Sequence, residues 1–367
     1  MDNQKTIRGQ RNSNLELYRI IVMIMIVAHH FVVNSGVLDL MYEEPFSINS
    51  IFLFLLGAWG KTGINCFTMI TGYFMCCSNI TLKKYIKLVS EVLFYNICIS
   101  TIFLIAGLAT VKDIVNALLL VRELNSSNYI ACFLVFYLLI PFLNMLLKNL
   151  NNKMHKMLIC ILLFEYVVCG TIPKFSVELN YVSWFIVLYL VAAYIRLYPI
   201  KNRKWGMLTL VLVLSAIVSV LVCVFIGTEY NKQMAYIFVS DSNTFFAFAI
   251  GVSSFMVFKN LKIKPNKWIN IIAGSTFGVL CIHANSWPMR NWLWGICINV
   301  KKLFNFGFVT LVLCSLVSLL SIFIACTLID IIRINTVEKI YMNLILKSKW
   351  YLKLDSFFRS DDGGKNE

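Results

Sequence analysis

The stretch Glu16-Leu-Tyr-Arg19-Ile-Ile-Val-Met23-Ile-Met-Ile26-Val-Ala-His29-His30-Phe-Val-Val-Asn34 decides the fold. Its length and apolar content are those of a bilayer-spanning helix, which needs about 20 residues. An arginine sits near one end and two histidines near the other, although a charge at the bilayer centre costs at least ~2.5–3.5 kcal/mol. At 100° per residue, Arg19 and His30 return to within about 20° of one face, roughly 16 Å apart along the axis. One stripe therefore runs Glu16, Arg19, Met23, Ile26, His30, Asn34, while His29 points about 100° away.

Outward from this helix, the 367 residues are 59% apolar and only 14% charged, too little charge to cover a soluble surface. The chain reads as an all-α, polytopic membrane protein. Apolar windows fall at 16–34, 61–77, 87–109, 129–147, 157–171, 181–198, 207–226, 236–258, 268–284 and 303–332, predicting ten spans. The run at 51–59 is too brief to span and is expected at an interface. A 1–15 cytoplasmic segment, one transmembrane domain over 16–340 and a basic then polar cytoplasmic tail over 341–367 complete the organisation.

Charge tests the count. The net +15 would suggest nucleic acid in a soluble chain. With an internal N-terminus, however, 24 of the 33 Lys and Arg fall on six cytoplasmic segments and seven on the opposite side, with Arg19 and Lys61 left in or at spans. That asymmetry places both termini inside, makes the surplus a matter of topology and excludes nucleic acid as partner. The 12 cysteines lie mostly in apolar runs without a Cys-x-x-Cys, so neither a zinc knuckle nor a disulfide framework is expected. No metal is predicted. Gly60-Lys61-Thr62 lacks the upstream glycine of a phosphate loop, whose place is taken by Leu55.

Several titratable groups share the outer level of His30: Lys61, Asp241, His283 and Arg290. At the cytoplasmic mouth stand Arg19, Lys83, Lys84, Lys87, Asp330 and Arg333. Glu91 is expected to pair with Lys87 at (i, i+4), His155 to be solvated in its basic loop, and Glu165 to lie near mid-depth without an evident partner.

Asn14-Leu-Glu-Leu-Tyr-Arg19 followed by ten residues and His30 resembles the Arg-x10-His signature of the acyltransferase-3 family of membrane acyltransferases. Gly63-Ile-Asn-Cys-Phe-Thr-Met-Ile-Thr-Gly72-Tyr73, Tyr137-Leu-Leu-Ile-Pro141-Phe-Leu-Asn144 and Phe277-Gly-Val-Leu-Cys-Ile-His283 resemble later segments of the same family, so the likeness runs from about 14 to 340. Where members often carry Arg-x-x-Arg after the second span, this chain has Lys84-Tyr-Ile-Lys87, which act as point charges and not as bidentate forks. The resemblance implies transfer of an acyl group, usually acetyl from acetyl-CoA, to a hydroxyl of a cell-surface polysaccharide (an exopolysaccharide of the cell envelope) or its lipid-linked precursor. Membrane lipid and a carbohydrate acceptor are the expected partners.

On that basis Arg19, Lys84, Lys87 and Arg333 are expected to hold the coenzyme A phosphates, and His30 to act as general base, with a covalent acyl-histidine as the variant. Lys61 or His283 would polarise the thioester oxygen. The competing expectations are a glycolipid or oligosaccharide transporter or flippase without acyl transfer, against which stands the lack of a Gly/Pro-broken helix pair, and a non-catalytic scaffold, which leaves Arg19 and His30 on one stripe unexplained.

Overall fold

The computed structural model describes residues 12–121, 124–125, 128–172, 174–175, 177–200, 204–230 and 232–360, without the side chains of 357–360. Residues 1–11 of the expected N-terminal segment, Arg122, Lys201, Arg203 and the tail from 361 lie outside the described residues.

In lipid every backbone donor at a helix start needs a partner from the protein, and short polar side chains supply it. After α1 (Ser13–Val33) and the short α2 (Leu38–Glu43), the Ser47 hydroxyl accepts the Ser50 amide and opens α3 (Ile48–Gly57). α4 (Gly60–Met75) follows at once, and Thr81 then caps α5 (Leu82–Ile105). A capping box of Thr110 and Asp113 starts α6 (Val111–Leu118); the Thr110 amide and hydroxyl, both 2.7 Å from Asp113 Oδ2, hold that carboxyl below the usual carboxylate range. Asn128, Asn151 and Asn180 cap α7 (Tyr129–Asn149), α8 (Asn152–Leu163, prolonged by a π turn to Cys169) and α9 (Tyr181–Leu197). Next come α10 (Trp205–Glu229), α11 (Phe245–Asn260), the Asn266-capped α12 (Lys267–Gly274) and α13 (Thr276–Ala284). The chain ends with α14 (Trp287–Arg290), α15 (Val300–Phe304), α16 (Phe308–Asn335), α17 (Val337–Lys347) and α18 (Lys349–Ser360).

Among the described residues there is no strand; the apolar windows overlap helix, but the one at 236–258 is helical only from Phe245, after turns over 236–244, and the one at 303–332 is broken at 305–307 between α15 and α16. Among the described residues six helical runs are long and apolar enough to cross a membrane, or seven if α12–α13 and α14–α15, bent by 84°, form one span; α9 and α11 are shorter apolar helices. Two expectations are corrected here. The run at 51–59 is no separate interfacial piece, because α3 and α4 form one 28-residue apolar helix whose Leu53 and Phe54 are fully buried. A broken helix pair does exist, turning at Asn285–Ser286 just ahead of Pro288, where the ring removes a backbone donor.

α1 is the central post, packed against α3, α4, α11, α12, α13 and α16. Asn14 ties its start to the end of α11 by donating to the carbonyls of Phe258, Lys259 and Leu261 at 3.0–3.2 Å. α9, too short to span comfortably, is interior: Trp184, Phe185, Leu188 and Tyr189 are fully buried. By contrast α10 and α16 expose Leu210, Leu214, Val218, Val309, Val317 and Ile324, a surface suited to lipid. His155 is not solvated but fully buried, its Nε2 donating to Leu190 O at 3.0 Å between the rings of Tyr194 and Tyr198.

One end of the bundle is held by a charge cluster. The Arg333 guanidinium binds Asp330 at 2.8 Å, Glu338 at 2.8 Å and Glu91 at 3.0 Å, while Tyr95 donates to Asp330 at 2.7 Å. Glu91 therefore pairs with Arg333, and Lys87 goes to Glu338 at 2.5 Å, correcting the expected Lys87–Glu91 pair. Gly278 of α13 admits this cluster, since a Cβ there would fall 2.2 Å from Asp330 Oδ1. Arg333→Met, which leaves three carboxylates around an apolar side chain, should destabilise by about 3–5 kcal/mol. Gly278→Ala should cost ~1–3 kcal/mol by overpacking. Thermal unfolding of the detergent-solubilised protein measures both as a lowered midpoint.

Candidate active site

The face of α1 that the sequence marks out is the face turned inward. Met23 and Ile26 are buried between the two polar ends of the stripe. Arg19 lies 3.4 Å from Glu16 and stacks over Phe67 at 5.8 Å from the ring centre. Phe67, Ile26 and Ile64 then wall a chamber of about 130 Å³ that reaches His29, His30, Lys61, Tyr129 and Tyr181. The chamber thus begins beside the residue under the guanidinium and ends at the imidazole.

A second, larger cavity of about 400 Å³ also reaches this imidazole. His30, Tyr129 and Leu280 line both spaces, and Asn96, Asn285, Ser286, Trp287 and Arg290 help to wall the larger one. Its wall is the break between α13 and α14, so the bent helix pair makes room for it. Asn285 donates to Asn96, joining this break to α5.

Two hydrogen bonds orient His30. His283 Nδ1 lies 2.6 Å from Val279 O, and its Nε2 lies 3.0 Å from His30 Nδ1. A carbonyl only accepts, so in the neutral pair His283 carries its proton on Nδ1 and offers a lone pair on Nε2. His30 then donates from Nδ1 and keeps its Nε2 as the basic nitrogen. His283 is buried on α13, and Trp294 stands edge-on against its ring. His29 is used differently: its Nδ1 donates to Gly57 O at 2.6 Å, and its ring fills the space a Cβ on Gly60 would need, 2.1 Å away. Lys61 donates to the Tyr181 hydroxyl at 3.0 Å and faces that ring.

A family model described as an acyltransferase domain, acyltransferase-3, matches residues 12–329. The chain belongs to the acyltransferase-3 family. No curated protein and no solved structure matches it. It is accordingly a multi-pass membrane acyltransferase, and family membership puts acyl transfer ahead of the transporter alternative.

In this acyltransferase-3 chain Lys61 and His30 of the expected set line the small chamber and His283 is hydrogen-bonded to His30, while Arg19 lines neither cavity and stands one residue away, beside Phe67. Arg333 is not with them. It is 3% exposed and its donors are taken by Asp330, Glu338 and Glu91, so the expectation that it holds coenzyme A phosphates gives way to a structural role. Lys84 is exposed, with Nζ on Asn79 O at 3.0 Å, and Lys87 is half-exposed beside Glu338. Asp241 and Glu165 are exposed and line neither cavity.

Sequence reasoning passed over Tyr129, Tyr181 and Trp287. The first two each follow a capping asparagine at a helix start, a signal that reads equally well as an aromatic belt at the membrane surface. His283→Leu should lower kcat for acyl transfer by about 100-fold, with the KM for acyl donor little changed, because His30 loses the acceptor that holds its tautomer. His283→Gln, which supplies both an acceptor and a donor, should recover part of the loss in the same steady-state assay.

Proposed function

We propose that the protein transfers an acetyl group from cytoplasmic acetyl-CoA to a hydroxyl of a cell-surface or lipid-linked polysaccharide. In this reading it sits in the cell membrane with ten spans and both termini in the cytoplasm. The observation that carries the reading is the meeting of two dissimilar cavities at His30: a small, mostly apolar chamber on the Arg19 side and a larger polar one beyond. A thioester and a sugar hydroxyl need such different surroundings and must nonetheless touch one base.

The chemistry is a direct exchange. The acceptor hydroxyl gives its proton to His30 Nε2 as its oxygen attacks the thioester carbonyl carbon. Collapse of the tetrahedral intermediate breaks the carbon–sulfur bond, and the departing thiolate takes the proton back from His30. Lys61 supplies positive charge beside the transient oxyanion. Arg19, Lys84 and Lys87 attract the coenzyme A phosphates, whereas a 130 Å³ chamber favours a short acyl group over a long chain.

The experiment supplies membranes with acetyl-labelled acetyl-CoA and follows label into carbohydrate. His30→Ala and Arg19→Ala should each abolish incorporation, with membrane insertion intact by protease protection. Near-normal turnover in His30→Ala would overturn the mechanism, and carbohydrate translocation without label transfer would favour a transporter.

A further inference from the structure

Acyl transfer to a plain hydroxyl leaves one feature of the outer cavity unused. Arg290, the last residue of α14, lines that cavity, and its Nε is buried with no hydrogen-bond partner. Among the described residues its guanidinium makes no ion pair; it stacks over the Trp287 indole, 5.2 Å from the ring centre. Arginine keeps its proton at any physiological pH and has no acceptor capacity, so the missing partner is an oxygen acceptor, and an anionic oxygen answers it best.

The surroundings narrow the class of ligand. Trp287 is 64% exposed, which leaves aromatic surface free at the cavity rim, and the C–H face of a pyranose packs well on an indole. Asn285, Asn96 and Ser286 provide both donors and acceptors for hydroxyl groups. The carboxylate on the same wall, Asp113, is already engaged, because its Oδ2 accepts both the amide and the hydroxyl of Thr110 at 2.7 Å. A neutral sugar would satisfy the asparagines and the indole and leave the guanidinium unanswered.

We propose that the outer cavity is an acidic-sugar site: Arg290 grips an oxyanion carried by the acceptor, the carboxylate of a hexuronate or a phosphate ester, while the ring rests on Trp287. The assignment to an acceptor rests on the transfer reading above; the binding of an anionic sugar does not. Arginine's planar fork suits a carboxylate or phosphate in two parallel hydrogen bonds, and fixing the ring at both points turns a chosen hydroxyl towards His30 in the same 400 Å³ space.

The test uses the full chain in lipid nanodiscs, without acyl donor, titrated with methyl glucuronide, glucose 1-phosphate and methyl glucoside by microscale thermophoresis. At least one charged probe should bind about tenfold or more tighter than the glucoside, and Arg290→Gln should bring that ratio close to one. The tighter of the two charged probes assigns a uronate or a phosphorylated sugar. Trp287→Ala should weaken all three probes and preserve the ratio, which separates loss of the platform from loss of the charge. Equal binding of charged and neutral probes by the native chain, or a ratio unchanged in Arg290→Gln, overturns the proposal. Charge-selective binding without His30-dependent acetyl transfer overturns the transfer reading and leaves the site standing. Transfer to neutral acceptors without charge preference does the reverse.

Discussion

The two hydrogen bonds running from Val279 O through His283 to His30 are the constraint around which the rest of the molecule is arranged. A neutral imidazole can carry its proton on either nitrogen, and here a hydrogen-bond partner on a neighbouring helix settles which. That requirement brings α13 against α1, and α13 in turn must be held against α16 and α5. The charge cluster of Arg333, Asp330, Glu91 and Glu338 ties α16, α5 and α17 together, and the missing side chain at Gly278 lets α13 pack against Asp330.

The two groups of charge in the protein are thus treated in opposite ways. In the Arg333 cluster each guanidinium nitrogen meets a carboxylate, and the group locks α5, α16 and α17 together. Around His30 the polar groups face open space, and the bend between α13 and α14 keeps that space from closing. Paired charge suits a fastener; open valence suits a binding site. Arg333 and Arg290 are the same residue type in these two opposite situations.

Much of the fold was legible along the chain because lipid imposes a length and a composition on each spanning segment. The apolar windows overlap helices, though that at 236–258 is helical only from Phe245, and the placement of Arg19 and His30 on one face of α1 followed from helical period alone. What the window length missed was continuity and bending: α3 joins α4 into one helix, and the break ahead of Pro288 splits another run by 84°. Both are decided by whether neighbouring helices satisfy the backbone at the junction, which no local pattern records. The same limit explains His155, whose basic flanks suggested water but whose ring is closed in by Leu190, Tyr194 and Tyr198.

The sequence by itself determined that the chain is a helical membrane protein, that it carries the acyltransferase-3 pattern, and that a cation and an imidazole share one side of its first helix. The first and last rest on apolar run length, charge asymmetry and a 3.6-residue period, which are local sums over the chain, and the family pattern rests on the likeness of its motifs to those of known members. Only the tertiary structure decided which of the basic residues are spent and which are available. Arg333 and Arg290 look alike in a linear text, and Glu91 has a suitable lysine one turn away. Ion pairing falls off within a few ångströms and rewards the best-desolvated geometry, so partners 242 residues apart, Glu91 and Arg333, displaced the pair that sequence proximity favours.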